Sequence, residues 1–475
     1  MSSVAIARTV SLATLLCLAL VSPGAAVGEC VDGDCGNGRG TKTWPSGDRY
    51  SGDFVDGKRT GQGRYTWSDG AEYTGDFVDG QPHGRGEEIW PDGSIYTGEY
   101  RRAKRTGRGR LSWPNGEAYE GDFVDGHRTG KGTYTWPGGR SYVGEFVDGE
   151  RSGQGVYTWP DGRRYEGSFV EGQPTGPGVE QRPDGSRYEG EFLAGEASGQ
   201  GALDEPDGTR TEAEFRKGLA NGEGVRTWQD GRRYEGIFRD GAPDGEGTML
   251  WPDERRYVGE FSKGVQSGSG TFAWADGGRY IGDFAGGTRG PQGSLFWPSG
   301  DQYVGEFRGG ERTGQGAYTW SDGRRYIGSF EVGQQTGKGT KTWPDGRSFA
   351  GSFQTGRRDG FGTHTWPDGA SYAGSYRADL RHGRGSYTWS DGTVYTGEFR
   401  DGRIAGLGEL AWPDGARYEG EIVDGRPEGR GTYTWPDGAT YEGEFRAGEM
   451  LGSSDRDAAA DPGHSAARPI STPTA

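Results

Sequence analysis

Tryptophan recurs along this chain at a fixed interval, and that interval constrains the fold more than any other feature. The 16 tryptophans, from Trp44 to Trp435, are all separated by multiples of 23 residues. Arg182 and Glu205 occupy the only two vacant positions of the series, and the register resumes at Trp228 without insertion or deletion. Self-similarity at a fixed period of this length is typical of an array of small structural units. The sequence therefore predicts a repeat protein of about eighteen units, each in contact mainly with its neighbours.

One repeat, read from Tyr50, contains two stretches with the period-two alternation of β-strands. Tyr50, Gly52 and Phe54 fall on one face of the first strand. Tyr65 and Trp67 fall on one face of the second strand, together with glycines. Asp-Gly and Pro-Asp-Gly segments separate the strands, and both are typical of tight turns. Because short links join neighbouring strands antiparallel, the sequence predicts an all-β hairpin sheet with its aromatic side chains on one side.

The composition indicates whether the chain is ordered, and it limits the classes of molecule that the chain could bind. The 96 glycines and the 30% hydrophobic content would suit a disordered chain, but a 12% aromatic content at regular spacing favours an ordered one. The net charge of −16 excludes nucleic acid and disfavours anionic lipid, because both are bound by clustered Lys and Arg.

Residues 1–28 have the composition of a signal peptide. Arg8 precedes an apolar run over residues 10–21, and small residues follow at 24–26. The run is shorter than the roughly 20 residues of a membrane span, although an uncleaved anchor remains the alternative. We therefore expect an exported protein that is periplasmic, extracellular or associated with the cell envelope.

The two ends of the array differ from the repeats. Residues 29–43 form a predicted N-terminal cap in which Cys30 and Cys35 could close a disulfide in an oxidising compartment. The five histidines are scattered, so no metal site is predicted. Residues 452–475 are rich in Ala, Ser, Pro and Asp and are predicted to be a disordered tail.

No pattern in the chain predicts catalysis or a cofactor. One repeat position carries carboxylates, which we interpret as a solvated stripe of mixed charge, since a glycosidase would need one special pair. These residues are Asp53, Asp76, Glu99, Asp122, Glu145, Glu191, Glu214, Glu260, Asp283, Glu306, Glu398, Glu421 and Glu444. The Asp-Gly turns carry too few acids for calcium, and the Gly-x-Gly segments lack the strand, helix and third glycine of a nucleotide loop. The chain is predicted not to be an enzyme.

The pattern Tyr-x-Gly-x-Phe-x-x-Gly-x-x-x-Gly-x-Gly resembles the MORN repeat over nearly all of residues 44–451. The resemblance implies an elongated, twisted, open antiparallel solenoid with an aromatic-lined groove. In that family such repeats serve protein scaffolding, dimerisation and lipid contact. Arg182, Glu205, Thr211 and Ala213 depart from the pattern, so the stretch 180–215 is either a drifted repeat or a hinge or partner notch.

The aromatic ladder is the one predicted binding site. Most of the rings are expected to be structural, with a subset that also lines the groove. The groove candidates are Tyr50, Phe54, Trp67, Tyr73, Trp90, Tyr96, Trp320, Tyr326, Trp389 and Tyr395. The function expected is a non-catalytic scaffold that binds a protein partner or a second copy of itself. A module that binds cell-wall glycan or membrane lipid is the alternative.

Overall fold

The computed structural model describes residues 27–451, and every helix or strand element in that range is a β-strand. Most of the predicted signal peptide and the whole predicted tail lie outside the described residues. The chain divides into two units, residues 1–196 and 197–475, and we describe each by itself. The boundary falls within the stretch 180–215 that departs from the repeat pattern. Among residues 27–451, no helix is long and apolar enough to cross a membrane.

The described part of the first unit, from residue 27 onward, contains fifteen strands that alternate, after the two short strands of the cap, between seven and nine residues in length. They are β1 (Glu29–Gly33), β2 (Arg39–Thr43), β3 (Arg49–Val55), β4 (Lys58–Thr66), β5 (Glu72–Val78), β6 (Gln81–Ile89), β7 (Ile95–Arg101), β8 (Lys104–Ser112), β9 (Ala118–Val124), β10 (His127–Thr135), β11 (Ser141–Val147), β12 (Glu150–Thr158), β13 (Arg164–Val170), β14 (Gln173–Gln181) and β15 (Arg187–Leu193).

The second unit continues the same alternation as far as a final strand of three residues. Its strands are β16 (Glu196–Asp204), β17 (Arg210–Arg216), β18 (Leu219–Thr227), β19 (Arg233–Arg239), β20 (Ala242–Leu250), β21 (Arg256–Ser262), β22 (Val265–Ala273), β23 (Arg279–Ala285), β24 (Thr288–Phe296), β25 (Gln302–Arg308), β26 (Glu311–Thr319), β27 (Arg325–Glu331), β28 (Gln334–Thr342), β29 (Ser348–Gln354), β30 (Arg357–Thr365), β31 (Ser371–Arg377), β32 (Leu380–Thr388), β33 (Val394–Arg400), β34 (Arg403–Ala411), β35 (Arg417–Val423), β36 (Arg426–Thr434), β37 (Thr440–Arg446) and β38 (Glu449–Leu451).

Within each unit, strands that are consecutive in the chain pair antiparallel. In the hairpin β3–β4, Tyr50 lies opposite Tyr65 and Gly52 lies opposite Gly63. The register then shifts at a bulge, because Asp53 lies opposite Thr60. The same shift recurs in the other hairpins of both units, for example in β25–β26. The predicted all-β antiparallel hairpin-repeat fold is confirmed.

Two kinds of turn connect the strands, and both use the left-handed region. Asp56 and Gly57 join β3 to β4 with φ of 49° and 73°, the geometry of a two-residue type I′ hairpin loop. The longer link from β4 to β5 is closed by a hydrogen bond of 3.0 Å from Gly70 N to Trp67 O. In that link, Asp69 Oδ1 accepts a hydrogen bond of 3.0 Å from Ala71 N. The repeated Asp-Gly segments are therefore turns, and their aspartates bind the backbone of the turn itself.

The N-terminal cap continues the sheet of the first unit. Strand β1 pairs antiparallel with β2, and a disulfide joins Cys30 to Cys35 within the cap. Beyond the cap, Gly57 N donates a hydrogen bond of 2.9 Å to Gly36 O. The edge of the first full hairpin is thus covered by residues 29–43.

The stretch that departs from the repeat pattern keeps its strands. Thr211 stands where the repeat expects tyrosine, and it is fully buried. Arg226 occupies the neighbouring space, since its Nε donates to Thr211 Oγ1 at 2.8 Å and its Nη2 donates to Gly241 O at 2.9 Å. In the first unit, Arg182 stands where tryptophan is expected and forms an ion pair of 3.0 Å with Glu180. Polar side chains with satisfied partners therefore replace the missing rings.

Candidate functional site

The two faces of the sheet have different chemistry, and we name them by what they carry. The inner face holds the Tyr, Gly and Phe of the strand that opens each repeat, such as Tyr50, Gly52 and Phe54. The outer face holds the residues between them, such as Ser51 and Asp53. Side chains alternate along a strand, so this division follows from the sequence. In β3 the inner-face residues are buried and the outer-face residues are exposed or half-buried.

The tyrosine of each repeat lies flat over glycine. A Cβ atom added to Gly63 would overlap the ring of Tyr50, and one added to Gly52 would lie 2.6 Å from Tyr50 Cζ. The hydroxyl of Tyr50 donates to the carbonyl oxygen of Asp53 at 3.1 Å. Burial, with a smaller effect of the Asp53 charge, raises the pKa of Tyr50 to about 12. The tyrosines are therefore neutral core residues with their polar ends satisfied.

Phenylalanines join successive repeats on the same face. The Tyr50 ring meets Phe54 of its own repeat at 5.1 Å and Phe77 of the next repeat at 4.9 Å, both edge to face. Such pairs contribute about 0.5–1.5 kcal/mol each beyond the area that they bury. A single-layer sheet thus makes a continuous core out of nearest-neighbour contacts.

An arginine covers this core in many repeats, and the sequence pattern did not predict that role. Arg128 places its guanidinium carbon 5.2 Å from the ring centroid of Tyr134 and 5.7 Å from that of Tyr119. Its Nη2 donates to Gly149 O in the next hairpin turn at 3.0 Å. Guanidinium groups stack on aromatic faces and still form hydrogen bonds in their own plane. The set with equivalent ring contacts is Arg59, Arg105, Arg128, Arg151, Arg289, Arg312, Arg358 and Arg381.

The tryptophans line the link-turn end of the inner face. Tyr65 lies between two of them, at 5.8 Å from Trp44 and 4.8 Å from Trp67. In one repeat this intermediate position holds His364, stacked 5.5 Å from Trp343 and 4.2 Å from Trp366. No described tryptophan is classed as fully solvent-exposed. Most of this row is therefore half-buried, and Trp389 and Trp412 are buried.

The predicted groove residues are spread over several repeats, and most of them belong to the core. Trp67, Trp90 and Trp320 are half-buried. The other seven are buried, namely Tyr50, Phe54, Tyr73, Tyr96, Tyr326, Trp389 and Tyr395. Their burial corrects the expectation that these seven rings line an open groove, because neighbouring side chains already cover them. These seven rings are therefore not available to a partner of the folded sheet.

The carboxylates of the outer face have a structural use. Glu306 Oε1 accepts a hydrogen bond of 2.9 Å from Gln315 N, and Asp76 Oδ2 accepts one of 2.9 Å from Arg85 N. Each of these hydrogen bonds spans the bulge of its hairpin. In the hairpin of Glu306, the bulge contains Gly314, which adopts φ of 56°. The expected solvated stripe is therefore also a series of bulge caps. Among the described residues, no three His, Cys, Asp or Glu side chains gather as they would around a metal ion.

The outer face of the first unit forms a groove of about 1030 Å³ that crosses β7 to β13. Its floor contains glycines, since the tyrosine rings occupy the other side of the same backbone. Two rows of side chains form its walls. The central row follows the residue between Tyr and Gly, and in this groove consists of Thr97, Arg110, Glu120, Thr133, Val143, Val156 and Glu166. The carboxylate row follows the bulge positions, and here consists of Arg108, Lys131, Glu145 and Gln154.

Charges of both signs lie along this groove. Arg110 and Glu120 are 3.8 Å apart, and Arg108 lies 3.7 Å from Asp122. The side chains of Arg108, Arg110 and Glu120 are more than half exposed. Exposed ion pairs of this kind contribute roughly 0–1 kcal/mol, so a partner could replace them at small cost. A smaller groove of about 510 Å³ extends the same face toward β4 and includes Gln62.

A family model described as MORN repeat matches eighteen segments, between residues 37 and 279 and between residues 303 and 453. The chain belongs to the MORN-repeat family. Residues 280–302 are not matched, although β23 and β24 keep the hairpin pairing there. Comparison with curated proteins gives no match.

Several solved structures resemble MORN-repeat segments of this chain at low identity. One is the TCP10 domain of Danio rerio CPAP in complex with a STIL peptide, at 14% identity and a TM-score of 0.18, covering 49% of this chain and 93% of that one. Another is the SAS-4 TCP domain of Drosophila melanogaster with a proline-rich motif of Ana2, at 13% identity and a TM-score of 0.22, covering 42% and 99%. These TM-scores are too low to carry an argument about function.

Proposed function

We propose that this MORN-repeat protein is a non-catalytic scaffold that holds an extended protein segment in the outer-face groove of its first unit. The observation that carries the proposal is the groove of about 1030 Å³, with glycine backbone on its floor and charges of both signs on its walls. Glycine allows another backbone to approach closely. Five of the carboxylates that could suggest catalysis accept backbone hydrogen bonds across a bulge, namely Asp76, Glu99, Asp122, Glu260 and Glu306.

The dimensions of the groove suit an extended chain. Seven strands at about 4.8 Å per strand give a length of about 29 Å, which about nine extended residues would span. Strands β8–β10 carry the basic side chains Arg108, Arg110 and Lys131 against one lining carboxylate, Glu120, whereas β11–β13 carry Glu145 and Glu166. A partner segment would therefore place acidic residues near β8 to β10 and basic residues toward β13. Complementary charge of this kind sets register and specificity.

We also propose that the protein acts outside the cytoplasm. Residues 1–28 support this by composition, and the disulfide between Cys30 and Cys35 is a bond typical of oxidising compartments.

Fluorescence anisotropy with labelled ten-residue peptides would test the groove. One peptide carries acidic residues followed by basic residues, a second is reversed, and a third is uncharged. We expect one of the two charged orders to bind the full chain better than the other, and raised salt to weaken that binding. The substitutions Arg110→Glu and Lys131→Glu should weaken it about tenfold each.

Arg384→Glu is the matched control, because Arg384 stands at the repeat position of Lys131 but lies in the second unit. It should leave peptide binding unchanged. Equal binding of all three peptides, or equal loss with the control substitution, would refute a charge-ordered groove in the first unit.

A further inference from the structure

One part of the outer face in the second unit lacks the charges found elsewhere. On β29–β32 the central row reads Ala350, Thr363, Ala373 and Ser386, each opposite the next. The carboxylate row on the same strands reads Ser352, Phe361, Ser375 and Arg384. A third row beside them contains only serine and threonine. Eleven of these twelve side chains are uncharged, and we call those eleven the uncharged patch.

The equivalent area in the first unit shows that this composition is not required by the fold. On β5–β8 the same three rows contain seven charged side chains out of twelve, including Glu87, Glu99 and Arg110. The strands pair in the same register in both places. The charges were therefore free to differ, and the fold does not impose the uncharged patch.

Phe361 is the one aromatic side chain of the patch, and it lies in the carboxylate row. Its ring is 59% exposed, although most phenylalanines of this chain are buried in the inner-face core. Lys131 and Lys338 stand at the same repeat position elsewhere, so this position tolerates a polar side chain. Small residues surround the ring, since Phe361 lies opposite Ser375 and Ala350 lies opposite Thr363. The result is an exposed aromatic side chain beside small residues that carry hydroxyl and methyl groups.

Size and charge together select the occupant. Four strands at about 4.8 Å and three rows at about 6.7 Å cover about 400 Å². A stable protein interface buries about 800 Å² on each partner, so the patch is too small to hold a second copy by itself. Its three rows contain one charge, Arg384, and Lys338 of the neighbouring strand β28 donates a hydrogen bond of 3.0 Å to Ser352 at its margin. Serine and threonine hydroxyls both donate and accept hydrogen bonds, as sugar hydroxyls do.

We propose that the uncharged patch binds a neutral polysaccharide chain, with a sugar ring over Phe361 and its hydroxyls on the flanking Ser and Thr. The electron-rich face of the phenyl ring attracts the C–H groups of a sugar. At the margin of the patch, Ser352 Oγ accepts a hydrogen bond from Lys338 Nζ, and Ser386 Oγ shares one with Thr396 Oγ1. These contacts hold the two serine hydroxyls in place. This proposal does not depend on the peptide groove of the first unit.

Native affinity electrophoresis of the full chain would test it, in gels containing hydroxyethyl cellulose, mixed-linkage β-glucan or dextran. Carboxymethyl cellulose serves as the anionic comparison. We expect at least one neutral polymer to retard the protein, and the anionic polymer to retard it less. Phe361→Lys should weaken the binding about tenfold or more, because truncating an aromatic anchor costs most of such an interaction.

Two matched variants keep the test sharp. Leu407→Lys changes an exposed apolar residue at the same repeat position, flanked by Glu398 and Glu421, and should leave retardation unchanged. Ala373→Glu adds a charge inside the patch at a position where Glu419 shows that glutamate is tolerated, and it should weaken binding.

The proposal is overturned if no neutral polymer retards the protein, or if Phe361→Lys and Leu407→Lys behave alike. It is also overturned if the anionic polymer binds as well as the neutral ones. Sedimentation velocity adds one more outcome: a dimer that Phe361→Lys dissociates would assign the patch to self-association.

Discussion

Replacing Gly305 by alanine should test whether the ring-over-glycine contact holds the repeats together. Gly305 has an ordinary extended backbone, so alanine brings steric conflict without the strain of a left-handed conformation. An added Cβ would lie 2.6 Å from Tyr303 Oη and 2.6 Å from Gly316 Cα. Tyr303 is held by a hydrogen bond of 3.0 Å from its hydroxyl to Glu306 O, and by edge-to-face contacts with Phe307 and Phe330. The ring has little freedom to move aside.

The expected cost follows from these contacts. Overpacking a core contact costs about 1–3 kcal/mol, and displacing the tyrosine hydroxyl from its acceptor adds about 1 kcal/mol. Gly305→Ala should therefore lower the local free energy of unfolding by about 2–4 kcal/mol. Tyr303→Thr removes the ring and should cost about 3–5 kcal/mol by itself. The chain contains the compensated pair at Thr211 and Ala213, where no ring lies over the alanine.

A double-mutant cycle measures the coupling. In the Tyr303→Thr background, Gly305→Ala should cost at least 1 kcal/mol less than in the wild type, within the range of about 0.5–3 kcal/mol seen for residues in contact. Native-state hydrogen exchange on β25–β27 is the assay, because a repeat array need not unfold as one unit. Gly309→Ala is the control, since a Cβ there would meet nothing within 4 Å; its φ of 58° is left-handed, but the equivalent turn position already holds alanine at Ala194 and Ala447. An equal cost of Gly305→Ala in both backgrounds would refute the steric argument.

Three further predictions concern single interactions. Burial, with the nearby charge of Arg358, lowers the pKa of His364 to about 4. The unfolded state therefore binds more protons than the folded state below about pH 6.5. The free energy of unfolding of β29–β31 should have its full value above that pH and should fall by about 3 kcal/mol toward pH 4. Hydrogen exchange at about pH 7.5 and about pH 4.5 should show this loss in the wild type but not in His364→Tyr, which copies Tyr387. Arg128→Ala and Arg128→Lys should both raise hydrogen exchange in β9–β11, because lysine lacks the planar group that stacks on the rings; full protection in Arg128→Lys would show that charge alone suffices. Reduction of Cys30–Cys35 should increase aggregation measured by light scattering, because it loosens the cap over the edge of β2; unchanged aggregation would exclude a protective cap.

Much of this fold follows from the sequence because its information is local. The period of 23 residues gives the repeat, the alternation gives the strands, and Asp-Gly gives the turns. Tyr50, Gly52 and Phe54 were predicted to share a face, and they do. The bulge at Asp53 and Thr60 was not predicted, because its signal is a glycine with positive φ inside a strand that looks regular in sequence.

The candidate site was harder to predict than the fold. A single-layer sheet has no second layer to cover its rings, so the sequence predicted that part of the aromatic ladder lines an open groove. Arg128 and its equivalents contradict that inference for the buried rings, since a guanidinium can cover an aromatic face and still reach a carbonyl oxygen. These arginines recur at one repeat position, but Pro82 and Pro174 occupy that position in two of the first repeats, which obscures the series in the sequence. Without the structure, an arginine on a strand reads as a solvated charge.

The two faces of the sheet are constrained differently, and this determines where partner specificity can reside. On the inner face a change at one position requires a matching change at another, as at Thr211 and Ala213. On the outer face, one repeat position accommodates Lys131, Phe361 and Leu407 over the same backbone pairing. Packing places few limits on the side chain at that position, so the residue there can vary to suit a binding partner. Repeats with the same core can therefore present a charged groove in one unit and an uncharged patch in the other.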